Sequence, residues 1–179
     1  MKQLIYILCG LYAISSFSQA NTGNINATFT LSQVAMLDLE PNNSTVTLSL
    51  ATNEAGEKVA MMTSNNKKWI NFSSAVTSTA APRSISINIA DGQVPSGIYL
   101  KLSTSNYMGI GKGVLGSPAG ILTLSSTPQT IISNIKGAFT GDGISNGYEI
   151  TYYLEIFDYK LLDFNQSATL TITLTLSDL

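Results

Sequence analysis

The sequence predicts an all-β protein: a single antiparallel β-sandwich, immunoglobulin-like or jelly-roll-like, with about eight to ten strands. Three observations predict it. Apolar and polar residues alternate one by one over several stretches, the pattern of a strand with one face on a core and the other in water. Clusters of Asn, Asp, Gly and Pro separate those stretches at short intervals, and each of these residues favours turns for its own backbone reason. No window carries a helical period; residues 54–62 are the one place where a short helical turn fits.

Taken in order, Ala27, Phe29 and Leu31 alternate with Thr28, Thr30 and Ser32, and the run passes straight into Val34-Ala35-Met36-Leu37-Asp38-Leu39. Val46, Leu48 and Leu50 alternate with Thr45, Thr47 and Ser49. Ile85, Ile87 and Ile89 alternate with Ser84, Ser86 and Asn88, and Leu170, Ile172, Leu174 and Leu176 with Thr169, Thr171, Thr173 and Thr175. Isoleucine and threonine are β-branched and suit a pleated surface. Further strands are expected over residues 69–73, 97–104, 120–125, 129–135 and 149–157. Turn chemistry stands between them at Pro41-Asn42-Asn43, Ser64-Asn65-Asn66, Asp91-Gly92, Pro95-Ser96-Gly97, Ser117-Pro118, Thr127-Pro128 and Gly141-Asp142-Gly143. Residues 106–120, with Gly109, Gly111, Gly113 and Gly116, read as a mobile loop or an irregular hairpin. The expected core is Phe29, Leu31, Val46, Leu48, Trp69, Ile85 and Ile87 from the first half, and Ile98, Leu100, Leu122, Ile132, Ile150, Leu154, Leu170, Ile172 and Leu174 from the second. A slip of one residue would turn any of these strands inside out.

The first residues have a different character. Met1-Lys2-Gln3 precede an apolar run over residues 4–14, and Ser15 to Ala20 end it with mostly small residues. That is the layout of a secretory signal peptide. The run is about eleven residues, against the roughly 20 that a membrane-spanning helix needs. Cys9 lies inside it behind the bulky Leu8, so it reads as an apolar residue lost with the signal rather than a lipid anchor. The expected organisation is a signal peptide over 1–20, a short flexible lead over 21–26 and one sandwich domain over 27–179. Extracellular or cell-surface localisation follows, with no membrane span in the mature chain.

Composition removes most chemistry. The chain has no histidine, and its only cysteine is Cys9. The mature chain therefore lacks the parts of a Ser-His-Asp or Cys-His site and of the usual zinc sites. Only 11% of residues are charged, and loss of Lys2 takes the net charge from −2 to −3. Such a chain does not bind nucleic acid, which calls for clustered Lys and Arg. Lys67-Lys68 reads as a solvated turn. The acids that remain for a carboxylate pair are Asp38, Glu40, Glu149, Glu155, Asp158 and Asp163. Glu149 and Glu155 share a strand face but lie about 20 Å apart along it, too far for the roughly 5–9.5 Å of a glycosidase pair. The loop Gly141-Asp142-Gly143-Ile144-Ser145-Asn146-Gly147 has the Asp, Asn and Gly content of a calcium loop. It lacks the second and third carboxylates and the closing Glu, so a plain turn is expected. No catalytic residue, metal ligand or cofactor is assigned.

Two kinds of binding remain open. An aromatic platform for glycans would draw on Trp69, Tyr148 and Tyr152, the two tyrosines sharing a strand face. The alternative is that these rings pack into the sandwich. The segment Asn26-Ala27-Thr28-Phe29-Thr30-Leu31, together with the signal-like start, the all-β body and the alternating last strand, gives the second. In this layout the chain resembles small secreted bacterial surface proteins and is similar to subunits of chaperone–usher pili, the spore-coat-U-like group included. The ending Ser-Phe-Ser-Gln-Ala resembles that of Bacteroidota exported proteins. The resemblance implies a donor segment, with Ala27, Phe29 and Leu31 inserted into a neighbouring subunit by β-strand addition. Many pilins carry a disulfide, and this mature chain has no cysteine to form one. The same segment also fits as the first strand of a self-complete sandwich. The expectation is an exported, non-enzymatic structural or adhesive surface protein whose partners are copies of itself or other surface proteins, with a secreted glycan-binding module as the alternative.

Overall fold

The computed structural model describes residues 27–42 and 44–178, so the expected signal peptide and lead lie outside the described residues. The chain is all-β, an antiparallel β-sandwich. Its strands are β1 (Val34–Glu40), β2 (Thr47–Ala51), β3 (Ala60–Asn65), β4 (Lys67–Ala75), β5 (Arg83–Asp91), β6 (Ile98–Thr104), β7 (Lys112–Gly113), β8 (Ser117–Pro118), β9 (Ile121–Thr123), β10 (Gln129–Ile135), β11 (Ala138–Phe139), β12 (Tyr148–Ile156) and β13 (Thr171–Asp178). One sheet runs β7-β11-β4-β12-β6-β9, with β1 also paired to β4. The second runs β13-β5-β10-β8, and β2 and β3 form a two-stranded ribbon.

Side-chain alternation builds the core between the two large sheets. Ile70, Phe72, Leu100, Leu102, Tyr148, Ile150 and Tyr152 point in from the first, and Ile85, Ile87, Ile89, Ile131, Ile132 and Ile135 from the second. Burying a side chain of this size is worth about 1.5–3 kcal/mol, so these rows carry the stability that a disulfide would otherwise add. Consecutive Ile131 and Ile132 are both buried, which strict alternation forbids. The register of β10 on β5 shifts between Thr130 and Ile132, and a bulge there turns an extra side chain inward. Periodicity alone therefore finds Ile132 and misses Ile131.

Residues 27–31 depart from the sequence expectation. They belong to a unit that ends at Leu31, while the sandwich unit begins at Ser32. They carry no strand, and Phe29 and Leu31 are 93% and 86% exposed rather than in the core. Alternation specifies which face a strand would bury; it does not supply the neighbouring strand that must be there to bury it.

Two other segments differ. Residues 54–62 hold no helix: a Glu57 N–H to Glu54 O bond of 3.3 Å closes a turn, and β3 starts at Ala60. The short helical turn lies instead at Tyr159–Leu161, capped by the Asp158 carboxylate, which accepts from the Lys160 N–H at 2.9 Å. Residues 106–120 are not a hairpin: β7 pairs with β11 of the first sheet and β8, where a turn at Ser117-Pro118 was expected, pairs with β10 of the second. The segment is pinned by the Tyr107 hydroxyl donating to Thr140 O at 2.9 Å and the Tyr148 hydroxyl at 3.1 Å from Leu115 O.

The buried tyrosines give the fold an alkaline limit. Burial favours the neutral phenol and lifts Tyr148 from its ordinary value to about 12; it raises Tyr152 as well. Both rings are therefore neutral in the folded chain at a pH where the unfolded chain ionises them. Their contribution is complete below pH ~10 and is lost as the pH climbs from there through the raised folded values. In a spectrophotometric titration, these two phenols are expected to ionise above pH ~10 and together with unfolding. Simultaneous ionisation of every tyrosine near pH 10 in a folded chain would contradict the burial.

Candidate functional site

The described residues leave one side of the sandwich open. Among them, β1 has β4 as its only ladder neighbour, and β13 has only β5. Both strands thus present a row of unpaired backbone groups, and natural edges are usually blunted by charge, proline or a bulge. β1 carries Asp38 and Glu40, whereas β13 reads Thr-Ile-Thr-Leu-Thr-Leu-Ser-Asp with a single charge at its end. Its inward row of Ile172, Leu174 and Leu176 is only half-buried, although the facing Ile85, Ile87 and Ile89 of β5 are buried. Leu37 and Leu39, the inward row of β1, are half-buried as well.

One buried cation fastens the end of this open side. Arg83, at the start of β5, is 1% exposed. Its Nε lies 2.6 Å from Asp178 Oδ1 on β13, and its Nη1 donates to Val34 O on β1 and to Ser74 Oγ on β4 at 3.2 Å. Both edge strands and both sheets are thus tied to one planar, five-donor group.

The acids are distributed as follows. Asp38 and Glu40 are two apart on β1 and project together, beside their ladder partners Asn71 and Trp69. Asn71 is buried and holds the loop over residues 141–147: its Oδ1 accepts from the Gly143 N–H at 2.9 Å and its Nδ2 donates to Asn146 O. This brings Asp142 up to β1, so that oxygens of Asp38, Glu40 and Asp142 lie within 4.8 Å of one another. Oxygen ligands of this type suit hard cations, and the extra carboxylates that the loop sequence lacked come from a strand about a hundred residues earlier. Several lone pairs are already used, however. Asp38 accepts from the Leu39 N–H, and both oxygens of Glu40 accept from Asn42. Asp38 and Asp142 are exposed and Glu40 is half-buried, so water screens the three charges from one another. Glu149 and Glu155 go to separate cations, Lys67 at 2.9 Å and Lys101. Asp163 caps its own turn by accepting from the Asn165 N–H. No two of the six expected acids form an enclosed pair.

The aromatic residues expected as a platform are buried. Trp69 is 8% exposed and stands between Glu40 of β1 and Glu149 of β12 in the ladder. Tyr148 stacks on Phe72 at 6.4 Å and meets Tyr107 edge-on at 5.7 Å, and Tyr152 is also buried. Trp69 lies on the outward face beside Glu40 and Glu149, and Tyr148 and Tyr152 turn into the core, so none of the three offers a free surface for a ligand. Ala27, Phe29 and Leu31, by contrast, are all exposed. Among the described residues, no helix is long and apolar enough to cross a membrane. No known protein family, curated protein or solved structure matches the chain.

Proposed function

We propose that this chain is an exported, non-enzymatic surface protein that assembles by β-strand addition, the segment bearing Ala27, Phe29 and Leu31 of one copy pairing with the open edge of the next. One observation carries the reading: two large apolar side chains, Phe29 and Leu31, stand exposed just ahead of β1, while the inward row of edge strand β13 is half-covered. The spacing agrees. Ala27, Phe29 and Leu31 repeat every second residue, as do Ile172, Leu174 and Leu176, so an added strand would place one row against the other. Backbone bonds would satisfy the free edge, and alternate side chains would set the register. The signal-like first twenty residues support export, and the lack of histidine supports a role without catalysis.

The test compares the solution mass of residues 21–179 with that of a chain starting at Val34. The longer chain is expected to form oligomers that grow with concentration. The shorter one should stay a folded monomer and bind a peptide of residues 24–33. A monomeric long chain together with an unfolded short one would make residues 27–31 the protein's own first strand and end the reading.

A further inference from the structure

Opposite the core, the outward face of the large sheet gathers a second kind of surface. Across the β6–β12 ladder, Tyr99 faces Glu155 and Lys101 faces Tyr153. Lys101 Nζ forms a diagonal ion pair with Glu155 Oε2. Just past β12 the Phe157 ring lies over that of Tyr99, with centroids 4.2 Å apart and 20° between planes. The aromatic pair is held from the backbone, because the N–H groups of Phe157 and Asp158 both donate to Gly97 O, at 2.9 and 3.3 Å. Even so, Tyr99 is 41% and Phe157 49% exposed. Around the edge of β12, Glu155 also borders a cleft of about 280 Å³ whose rim includes Lys58 and Tyr159.

We infer that this face binds a neutral oligosaccharide, a pyranose ring stacking on Tyr99 or Phe157 while its hydroxyls bond Glu155 and Lys101. The chemistry selects the ligand. A pyranose offers an apolar C–H face and a rim of hydroxyls, and the surface offers two partly exposed rings, each with one face turned to the other, beside a carboxylate and an ammonium. An apolar protein or lipid surface would have to strip water from the Lys101–Glu155 pair at the centre of the patch. That desolvation disfavours both ions, whereas sugar hydroxyls replace the water they displace. The inference is independent of strand addition, since it uses β6 and β12 and leaves residues 27–31 and β13 untouched.

The experiment is affinity electrophoresis of the full chain through gels containing xylan, galactomannan, mixed-linkage β-glucan or amylopectin, followed by calorimetric titration with the hexasaccharide of whichever polymer retards it. Retardation by at least one polymer is expected. Tyr99→Ala and Phe157→Ala should each weaken binding about tenfold, and Glu155→Gln by a similar factor. Phe139→Ala, at another exposed ring on β11, should change nothing. Tyr99→Leu keeps apolar bulk without the ring and serves if the alanine variant fails to fold. Migration unaffected by all four polymers overturns the inference. So does binding that survives loss of both rings, or that falls equally with Phe139→Ala.

Discussion

Replacing Arg83 with methionine is expected to destabilise the sandwich by about 3 kcal/mol, a fall in melting temperature of roughly 6–12 °C for a domain of this size. Two effects oppose each other. A buried guanidinium is costly to desolvate, and apolar replacement of a whole buried ion pair is often neutral. Here, however, the partners do not leave with the arginine. Val34 O and the buried Ser74 hydroxyl remain without their donor, at about 1–3 kcal/mol for each unsatisfied group. Asp178 contributes less, because 65% of its side chain faces water and is screened there. The orphaned groups therefore win. Ser74→Ala added to Arg83→Met should recover part of the loss by removing one of them. Amide exchange should quicken first at the start of β1 and the end of β13, since Arg83 joins those ends. A neutral Arg83→Met measured by denaturant unfolding would show that desolvation of the guanidinium cancels its bonds. The same contact bears on assembly, because it fixes one end of the edge pair at which strand addition is proposed.

Gly147→Ala is expected to cost at least about 3 kcal/mol. Gly147 stands just before β12 at φ +101°, a left-handed conformation that costs a side-chain-bearing residue about 1–2 kcal/mol. The added Cβ would also stand 2.0 Å from Ile70 O. That oxygen belongs to the central strand β4, packed through the core, and it cannot move aside as a flexible side chain would. Gly143→Ala separates the two contributions. It has φ +85° with nothing within 4 Å of an added Cβ, so it should cost only the backbone part. Equal losses in the two variants would mean that β4 yields to the methyl group freely. The effect of Gly147→Ala should reach past its own position, because Gly147 and Met108 exchange backbone bonds of 2.7 and 2.9 Å that pin the segment over residues 106–120.

The candidate sites differ in how far they could be read from the chain. Exposed Phe29 and Leu31 were visible as an alternating apolar pair, yet alternation assigns a face without saying whose strand completes the sheet. The trio of Asp38, Glu40 and Asp142 was half visible: the loop advertised one ligand, and the other two arrive only because β1 lies beside β4 and Asn71 anchors the loop. The Tyr99–Phe157 pair had no local signal. Trp69, Tyr148 and Tyr152 drew attention as large aromatics, but all three are buried. Tyr99 sits one residue before the core residue Leu100, and its outward direction follows from that parity. What the parity cannot show is that Phe157, nearly sixty residues on, would fold back onto it through two bonds to Gly97.

The all-β class, the positions of nearly every long strand and most of the inward side chains were determined by the sequence by itself, because side-chain period and turn chemistry act over a few residues and need no distant partner. Tertiary structure alone decided the bulge that buries Ile131 beside Ile132, the edge positions of β1 and β13, the place of Arg83 between two sheets and the burial of the three expected platform rings. Each of these depends on which strands lie side by side. Pairing across tens of residues is settled by the packing of the whole sandwich rather than by any local preference.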